Sequence, residues 1–171
     1  MRLLFLLLLF PLLASAQSFP KNENGNIEYT NVVSVDTTTA ESLYSRAKIF
    51  LASAFSNSKN LIQSDDKENK VLVAEPLFQV TDKEKGNSLG TVKVKLIIQC
   101  RESRCKYTIT DLYHQFTNPG GYNLSGGNLE NEKPINPLSE EAFQKVKESA
   151  SEKLNAFIKS LTAALSKSDN W

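Results

Sequence analysis

Residues 90–116, GTVKVKLIIQCRESRCKYTITDLYHQF, decide the fold. From Val92 to Cys100 every second side chain is apolar, and this period of two is typical of a half-buried β-strand. A second alternating run occupies residues 105–116, and only the loop at 101–104 separates the two runs, so an antiparallel hairpin is predicted. Placing Cys100 opposite Cys105 gives three further pairs on one apolar face: Ile98 with Tyr107, Leu96 with Ile109, and Val92 with Tyr113.

Cys100 and Cys105 are the only cysteines of the chain. Because the predicted register places them side by side on one face, a disulfide is the simplest interpretation in an oxidising compartment. Two buried free thiols are the alternative. A catalytic pair is disfavoured, since such thiols are typically separated by two residues at the start of a helix rather than by four in a strand turn.

Capping signals and apolar periods predict the remaining elements. The sequence TTAE at 38–41 has the form of a capping box and precedes an apolar stripe of helical period that ends near Phe55. Ser139 precedes a second such stripe, which runs to Leu165. Runs rich in β-branched side chains predict three strands, at residues 27–35, 61–64 and 70–74.

The predicted order is therefore β-α-β-β-β-β-α, an α+β domain over residues 27–166 in which two helices cover one face of a five-stranded antiparallel sheet. The opposite face is left open. Residues 17–26 are polar and predict a flexible lead-in, and residues 167–171 are expected to fray. Residues 117–138 hold four glycines and three prolines, so this connection is predicted to be either mobile or a binding loop.

Residues 1–16 have the three parts of a secretory signal peptide. Arg2 supplies the positive start, an apolar run extends to Leu13, and Ala14-Ser15-Ala16 is a small-residue cleavage site. Spanning a bilayer takes about 20 apolar residues, which is longer than this run. We therefore expect cleavage before Gln17, no stable membrane insertion afterwards, and a protein that is exported to the periplasm or secreted.

The charge balance argues against nucleic acid as a partner. The chain has 20 Lys and Arg against 19 Asp and Glu, and losing Arg2 with the leader leaves 19 of each. Affinity for nucleic acid or for an anionic membrane surface depends mainly on an excess of positive charge. A neutral mature domain has no such general attraction.

Four segments carry a resemblance to a known family: VVSV at 32–35, LYSRA at 43–47, LIQSDD at 61–66 and VLV at 71–73. In this order they resemble exported bacterial domains of unknown function (DUF) that have a TATA-binding-protein-like (TBP-like) fold, over about residues 27–114. The resemblance implies the fold and export, but no activity and no site residues. The two cysteines depart from the pattern of that family. DNA binding does not follow from the name of the fold, because a fold does not imply a function.

His114 is the only histidine, so a Ser-His-Asp or Cys-His catalytic system would have to use it. Strand alternation places it on the open face. Without a Gly-x-Ser-x-Gly elbow, a surface histidine is the simpler interpretation, and a small envelope hydrolase that uses His114 is the alternative. One histidine and a bridged cysteine pair leave too few ligands for zinc, and no metal or cofactor is predicted.

The open face of the hairpin is the predicted binding surface, with the loop at 117–138 as its rim. Its side chains are Lys93, Lys95, Ile97, Gln99, Lys106, Thr108, Thr110, Leu112 and His114. An unknown protein, a small ligand or a second copy of the chain could bind there, and a plain solvated face is the competing interpretation. We therefore expect a non-catalytic exported binding or interaction module, with the hydrolase and a structural envelope component as alternatives.

Overall fold

The predicted hairpin is the centre of the fold. The computed structural model describes residues 19–55 and 61–167, so the predicted leader and the last four residues lie outside the described part. The helices and strands, in chain order, are β1 (Tyr29–Ser34), α1 (Ala40–Ala54), β2 (Ile62–Asp66), β3 (Val71–Ala74), β4 (Leu77–Thr81), β5 (Ser88–Arg101), β6 (Arg104–Gln115), β7 (Gly127–Asn128) and α2 (Glu140–Ser166).

The fold is α+β, and its antiparallel sheet has seven strands rather than the predicted five. The order is β1-β6-β5-β3-β2, while β4 pairs with β5 beyond the end of β3 and β7 pairs with β6. Sequence reasoning misses β4 because Pro76 interrupts the run and only Phe78 and Val80 then point inward. β7 has two residues and so has no period to detect.

Both helices pack on one face of the sheet, as predicted, and form a single core with it. Helix α1 has Thr39 as its N-cap, one residue after the start of the predicted capping box, and the Thr39 hydroxyl accepts from the Ser42 backbone N–H. Helix α2 has Ser139 as its N-cap, as predicted. Aromatic contacts connect the helices to β4, with ring centroids 5.3 to 5.7 Å apart. The four rings are those of Phe50, Phe55, Phe78 and Phe157.

A β-bulge interrupts the pairing of β5 with β6. Lys93 pairs with Tyr113 and Lys95 with Thr110, so β6 holds one residue more than β5 between these pairs. Within this stretch Asp111 has a φ of +56°, the left-handed conformation that aspartate tolerates better than most residues. The hairpin register is therefore as predicted from its tip as far as this point and shifted beyond it.

The bulge reverses the strand alternation, and this corrects two predicted positions. Leu112 and His114 are both fully buried against the core, so the prediction that they lie on the open face is wrong. Val92 accordingly pairs with His114 and not with Tyr113. A left-handed residue inside a strand has no reliable sequence signature, which is why simple alternation fails here.

None of the helices within residues 19–55 and 61–167 is both long and apolar enough to cross a bilayer.

Candidate functional site: a groove at the bulge

The open face keeps seven of the nine predicted side chains. These seven lie on β5 and β6 on the side away from the helices: Lys93, Lys95, Ile97, Gln99, Lys106, Thr108 and Thr110. Beyond the bulge, Tyr113 and Gln115 occupy the open-face positions that the unshifted alternation assigns to Leu112 and His114. The bulge therefore adds a phenol and an amide to this face.

The open face is hollowed beside the bulge, and we call this hollow the bulge groove. Its volume is about 1090 Å³. Strand residues form the floor, chiefly Lys93, Lys95, Thr110, Asp111, Tyr113 and Gln115. Two segments outside the hairpin contribute the rest, chiefly Asn22, Asn26, Asn128, Glu130 and Asn131. The groove thus combines the predicted face with part of the predicted loop.

The first wall is the segment that precedes β1. The Asn22 side-chain oxygen accepts from the Asn26 backbone N–H at 3.1 Å and closes a turn. The Ile27 backbone N–H then donates to the Glu130 carboxylate at 3.2 Å, which ties this wall to the opposite one. The described part of the predicted lead-in at 17–26 therefore forms a turn beside the sheet.

The second wall belongs to the connection at 117–138, and a buried histidine attaches it to the sheet. The Gly126 backbone N–H donates to His114 Nδ1 at 2.8 Å. His114 Nε2 lies 2.6 Å from the Leu89 carbonyl oxygen, so the partners assign the neutral form with the proton on Nε2. Gly126 is required for this approach, because a Cβ there would lie 2.4 Å from the Phe143 ring.

These contacts make His114 a structural residue of the loop. Burial lowers the pKa of His114 below its ordinary value, although the bond to the Leu89 carbonyl opposes this shift. A general base must reach the proton that it removes, yet both ring nitrogens face backbone groups inside the core. The arrangement gives no support to a hydrolase that uses His114.

The floor of the bulge groove carries both signs of charge. Lys93 lies 3.7 Å from the Glu75 carboxylate, a distance that gives a weak, exposed ion pair. The side chains of Lys95, Asp111 and Tyr113 make no ion pair or hydrogen bond within residues 19–55 and 61–167. These groups therefore remain available to a ligand that carries its own donors and acceptors.

The structure also decides between the alternatives for the two cysteines. Cys100 and Cys105 form a disulfide at the end of the hairpin, as predicted, and both are buried.

Metal ligands are a separate question. Within the described ranges, no group of three or more His, Cys, Asp or Glu side chains is placed so that it could hold a metal ion.

Sequence reasoning identified three of the six floor residues, Lys93, Lys95 and Thr110, and the 117–138 loop as a rim, but not the wall that precedes β1. The walls come from NENGN at 22–26 and NLEN at 128–131, two segments far apart in sequence. For residues 22–26 the only signal was that Asn and Gly favour turns, whereas residues 128–131 belong to the long connection that was predicted as a rim. Their meeting depends on the Ile27–Glu130 hydrogen bond and on His114, which no local pattern reveals.

Comparisons with known proteins identify relatives at the level of family and fold. The family described as "Domain of unknown function (DUF4468) with TBP-like fold" matches residues 29–115. A TBP-like protein from Parabacteroides distasonis has a TM-score of 0.68 at 13% identity, with 86% of this chain and 97% of that chain covered. A DUF4468 family protein from Bacteroides ovatus has a TM-score of 0.61 at 11% identity, with 92% and 95% covered. No curated protein matches this chain. At these identities the structural likeness shows the fold alone.

Proposed function

Because this chain belongs to DUF4468, a family of domains of unknown function with a TBP-like fold, no activity comes with its membership, and we propose that it is a binding module that holds a small polar ligand in the bulge groove. The single observation that carries this proposal is the groove itself. It joins the open sheet face to two walls and has a volume of about 1090 Å³.

The size and lining of the groove favour a hydrophilic ligand. Pockets for small molecules typically have volumes of about 300 to 1000 Å³, so this hollow has room for one. Amide, hydroxyl and charged side chains line most of it, and several have no partner within the described residues. A ligand rich in hydroxyl or amide groups can pair with them, whereas an apolar ligand would bury them unsatisfied.

Binding without catalysis is the function that these residues support best. The hydrolase alternative depends on His114, whose ring nitrogens both face backbone groups. Self-association through the hairpin's open face rested on Ile97 and Leu112, and it loses one of these two supports because Leu112 is buried. A small ligand therefore agrees better with the polar groove than a second copy of the chain does.

We place this activity outside the cytoplasm, in the periplasm or the medium. The sequence of residues 1–16 supports export, and the Cys100–Cys105 disulfide is compatible with an oxidising compartment. The neutral charge of the mature chain supports a partner other than nucleic acid.

Chemical-shift mapping by NMR tests the proposal. The mature domain is titrated with three classes of probe: neutral disaccharides, free amino acids and dipeptides. We expect at least one class to move the amide signals of Lys95, Asp111 and Asn128 together. Replacing Lys95 and Tyr113 by alanine should weaken that response by about tenfold, because charged and aromatic contacts dominate small polar sites.

A matched control uses another polar side chain of the same face. Gln99→Ala lies on β5 outside the groove and should leave the response unchanged. If no probe class moves the groove signals, or if Gln99→Ala weakens binding as much as the Lys95 and Tyr113 double variant does, the bulge groove is not a ligand site.

A further inference from the structure

Three cations gather at the other end of the open face, beside the disulfide. Arg101 is the last residue of β5 and Arg104 the first residue of β6, and they lie directly opposite each other. Lys106 follows on the same face of β6. We call these three residues the cationic end. Arg101 is six positions beyond Lys95 in β5, so the two arginines of the cationic end lie about 20 Å from Lys95 in the bulge groove.

The local charge of the cationic end is not neutralised by its neighbours. Arg101, Arg104 and Lys106 make no ion pair or side-chain hydrogen bond within residues 19–55 and 61–167. Glu102 is the nearest carboxylate in sequence, but it accepts from the backbone N–H of Ala40 at the start of α1. Like charges directly opposite in a sheet destabilise it, so this pairing of two arginines opposes folding.

The backbone that carries these cations is fixed from two sides. The Cys100–Cys105 disulfide joins the strands at the adjacent position. At the tip of the hairpin, the Ser103 carbonyl accepts from the Val35 N–H at 2.8 Å, and the Ser103 N–H donates to the Thr38 carbonyl at 2.8 Å. The two arginines therefore cannot separate by fraying of the strand ends, which would otherwise relieve their repulsion.

A hollow of about 570 Å³ lies at this end of the face. Besides the three cations, its polar side chains are the amides of Asn69 and Gln99. Among residues 19–55 and 61–167, no Asp or Glu lines this hollow, in contrast to the bulge groove. Guanidinium, ammonium and amide groups all donate hydrogen bonds, so the lining of the hollow is rich in donors.

We infer that the cationic end binds a doubly charged tetrahedral oxyanion, the phosphate or sulfate group of a ligand. Three positive charges exceed what a single carboxylate can balance. Arginine side chains match phosphate and sulfate oxygens with paired hydrogen bonds, and lysine adds a compact charge. Such an anion would also remove the repulsion between Arg101 and Arg104. This site is independent of the bulge groove, with which it shares no lining residue.

The test is an NMR titration of the mature domain with inorganic phosphate, sulfate and acetate at constant ionic strength. Sulfate and phosphate should move the side-chain Nε–H signals of Arg101 and Arg104, and acetate should bind at least about tenfold more weakly. Phosphate binding should strengthen between about pH 5 and pH 7.5, because the second pKa of a phosphate group is near 6. Sulfate binding should stay constant over the same interval. A pH dependence seen with phosphate alone therefore comes from the charge of the ligand and not from the charge of the protein.

Variants separate a built site from general positive charge. R101Q/R104Q should weaken sulfate binding by about tenfold or more while keeping a polar side chain that donates hydrogen bonds at both positions. K93Q/K95Q removes the same number of charges from the same face and should change it less than about twofold at moderate salt, where charges farther apart than about 10 Å are largely screened. Equal losses in the two double variants, or acetate binding as tightly as sulfate, would overturn the inference. Amide spectra of each variant establish that it is folded.

Discussion

The two ends of the open face are built on the same pair of strands and yet present opposite chemistry. At the bulge groove, lysines alternate with acidic and amide side chains, and two loop segments rise above the strands. At the cationic end, no carboxylate of the described part of the chain lines the hollow, and the strands themselves supply most of it. The strands have one alternation pattern, so this difference must come from what happens to the backbone at each end.

Two local devices account for the difference. At one end a left-handed Asp111 shifts the alternation, turns Tyr113 outward, and buries His114 where it can hold a loop. At the other end the Cys100–Cys105 disulfide holds the strands together next to two arginines that repel each other. The alternation thus defines a face, while the bulge and the crosslink determine which side chains each part of that face presents and how firmly they are held.

The largest expected effect comes from His114→Ala. It removes a fully buried ring and leaves the Gly126 N–H and the Leu89 carbonyl without partners, so the free energy of unfolding should fall by roughly 3 kcal/mol. Urea denaturation measures this cost. Amide exchange at Gly126 and Asn128, on the wall of the bulge groove, should accelerate by more than the overall loss of stability explains. At the cationic end, exchange should accelerate only by the amount that this overall loss explains.

Gln115→Ala is the matched control for that variant, since Gln115 is an exposed neighbour on the same strand and should cost less than about 0.5 kcal/mol. A loss below about 1 kcal/mol for His114→Ala would contradict the structural role of the ring, because buried polar partners left unpaired cost more than that. Equal acceleration of exchange at both ends of the face would contradict its restriction to the bulge groove.

Removing the disulfide tests its role at the cationic end. Replacing Cys100 and Cys105 together by alanine should lower the free energy of unfolding by about 2 kcal/mol, the chain-entropy value for so short a loop. Sulfate binding at the cationic end should weaken, because the repelling arginines can then move apart. Probe binding at the bulge groove should be retained. The reverse pattern, with the groove affected and the cationic end unchanged, would show that the disulfide does not organise the end beside it.

The buried His114 should also make the free energy of unfolding depend on pH in the acid range. Burial lowers the pKa of His114 below the ordinary value of 6.5, so in acid the unfolded chain binds more protons than the folded chain. The free energy of unfolding should therefore fall as the pH drops below about 6.5, until the lowered pKa of the folded state is reached. His114→Ala should lack this component. A wild-type curve that matches the variant's curve between about pH 7.5 and pH 5 would show that the ring is not desolvated.

Much of this architecture could be predicted from the sequence, because the long alternating runs and the capped helices are strong local signals. The fold class, the helix positions and the pairing of Cys100 with Cys105 all follow from them. Strand β4 has only a weak sequence signal, because it is short and follows Pro76. The site was only half predictable, because one residue in the left-handed region moves every later side chain of β6 to the other face.

The smallest expected effect isolates that one residue. Asp111→Gly and Asp111→Ala both remove the carboxylate from the floor of the bulge groove, but only alanine brings a Cβ that is unfavourable at φ +56°. Alanine should therefore be about 1 kcal/mol less stable than glycine by urea denaturation, since a left-handed backbone costs about that much for an ordinary residue. Both variants should leave sulfate binding at the cationic end unchanged. If alanine is as stable as glycine, the bulge does not depend on the left-handed conformation, and the contrast between the two ends must originate in the loops that wall the groove.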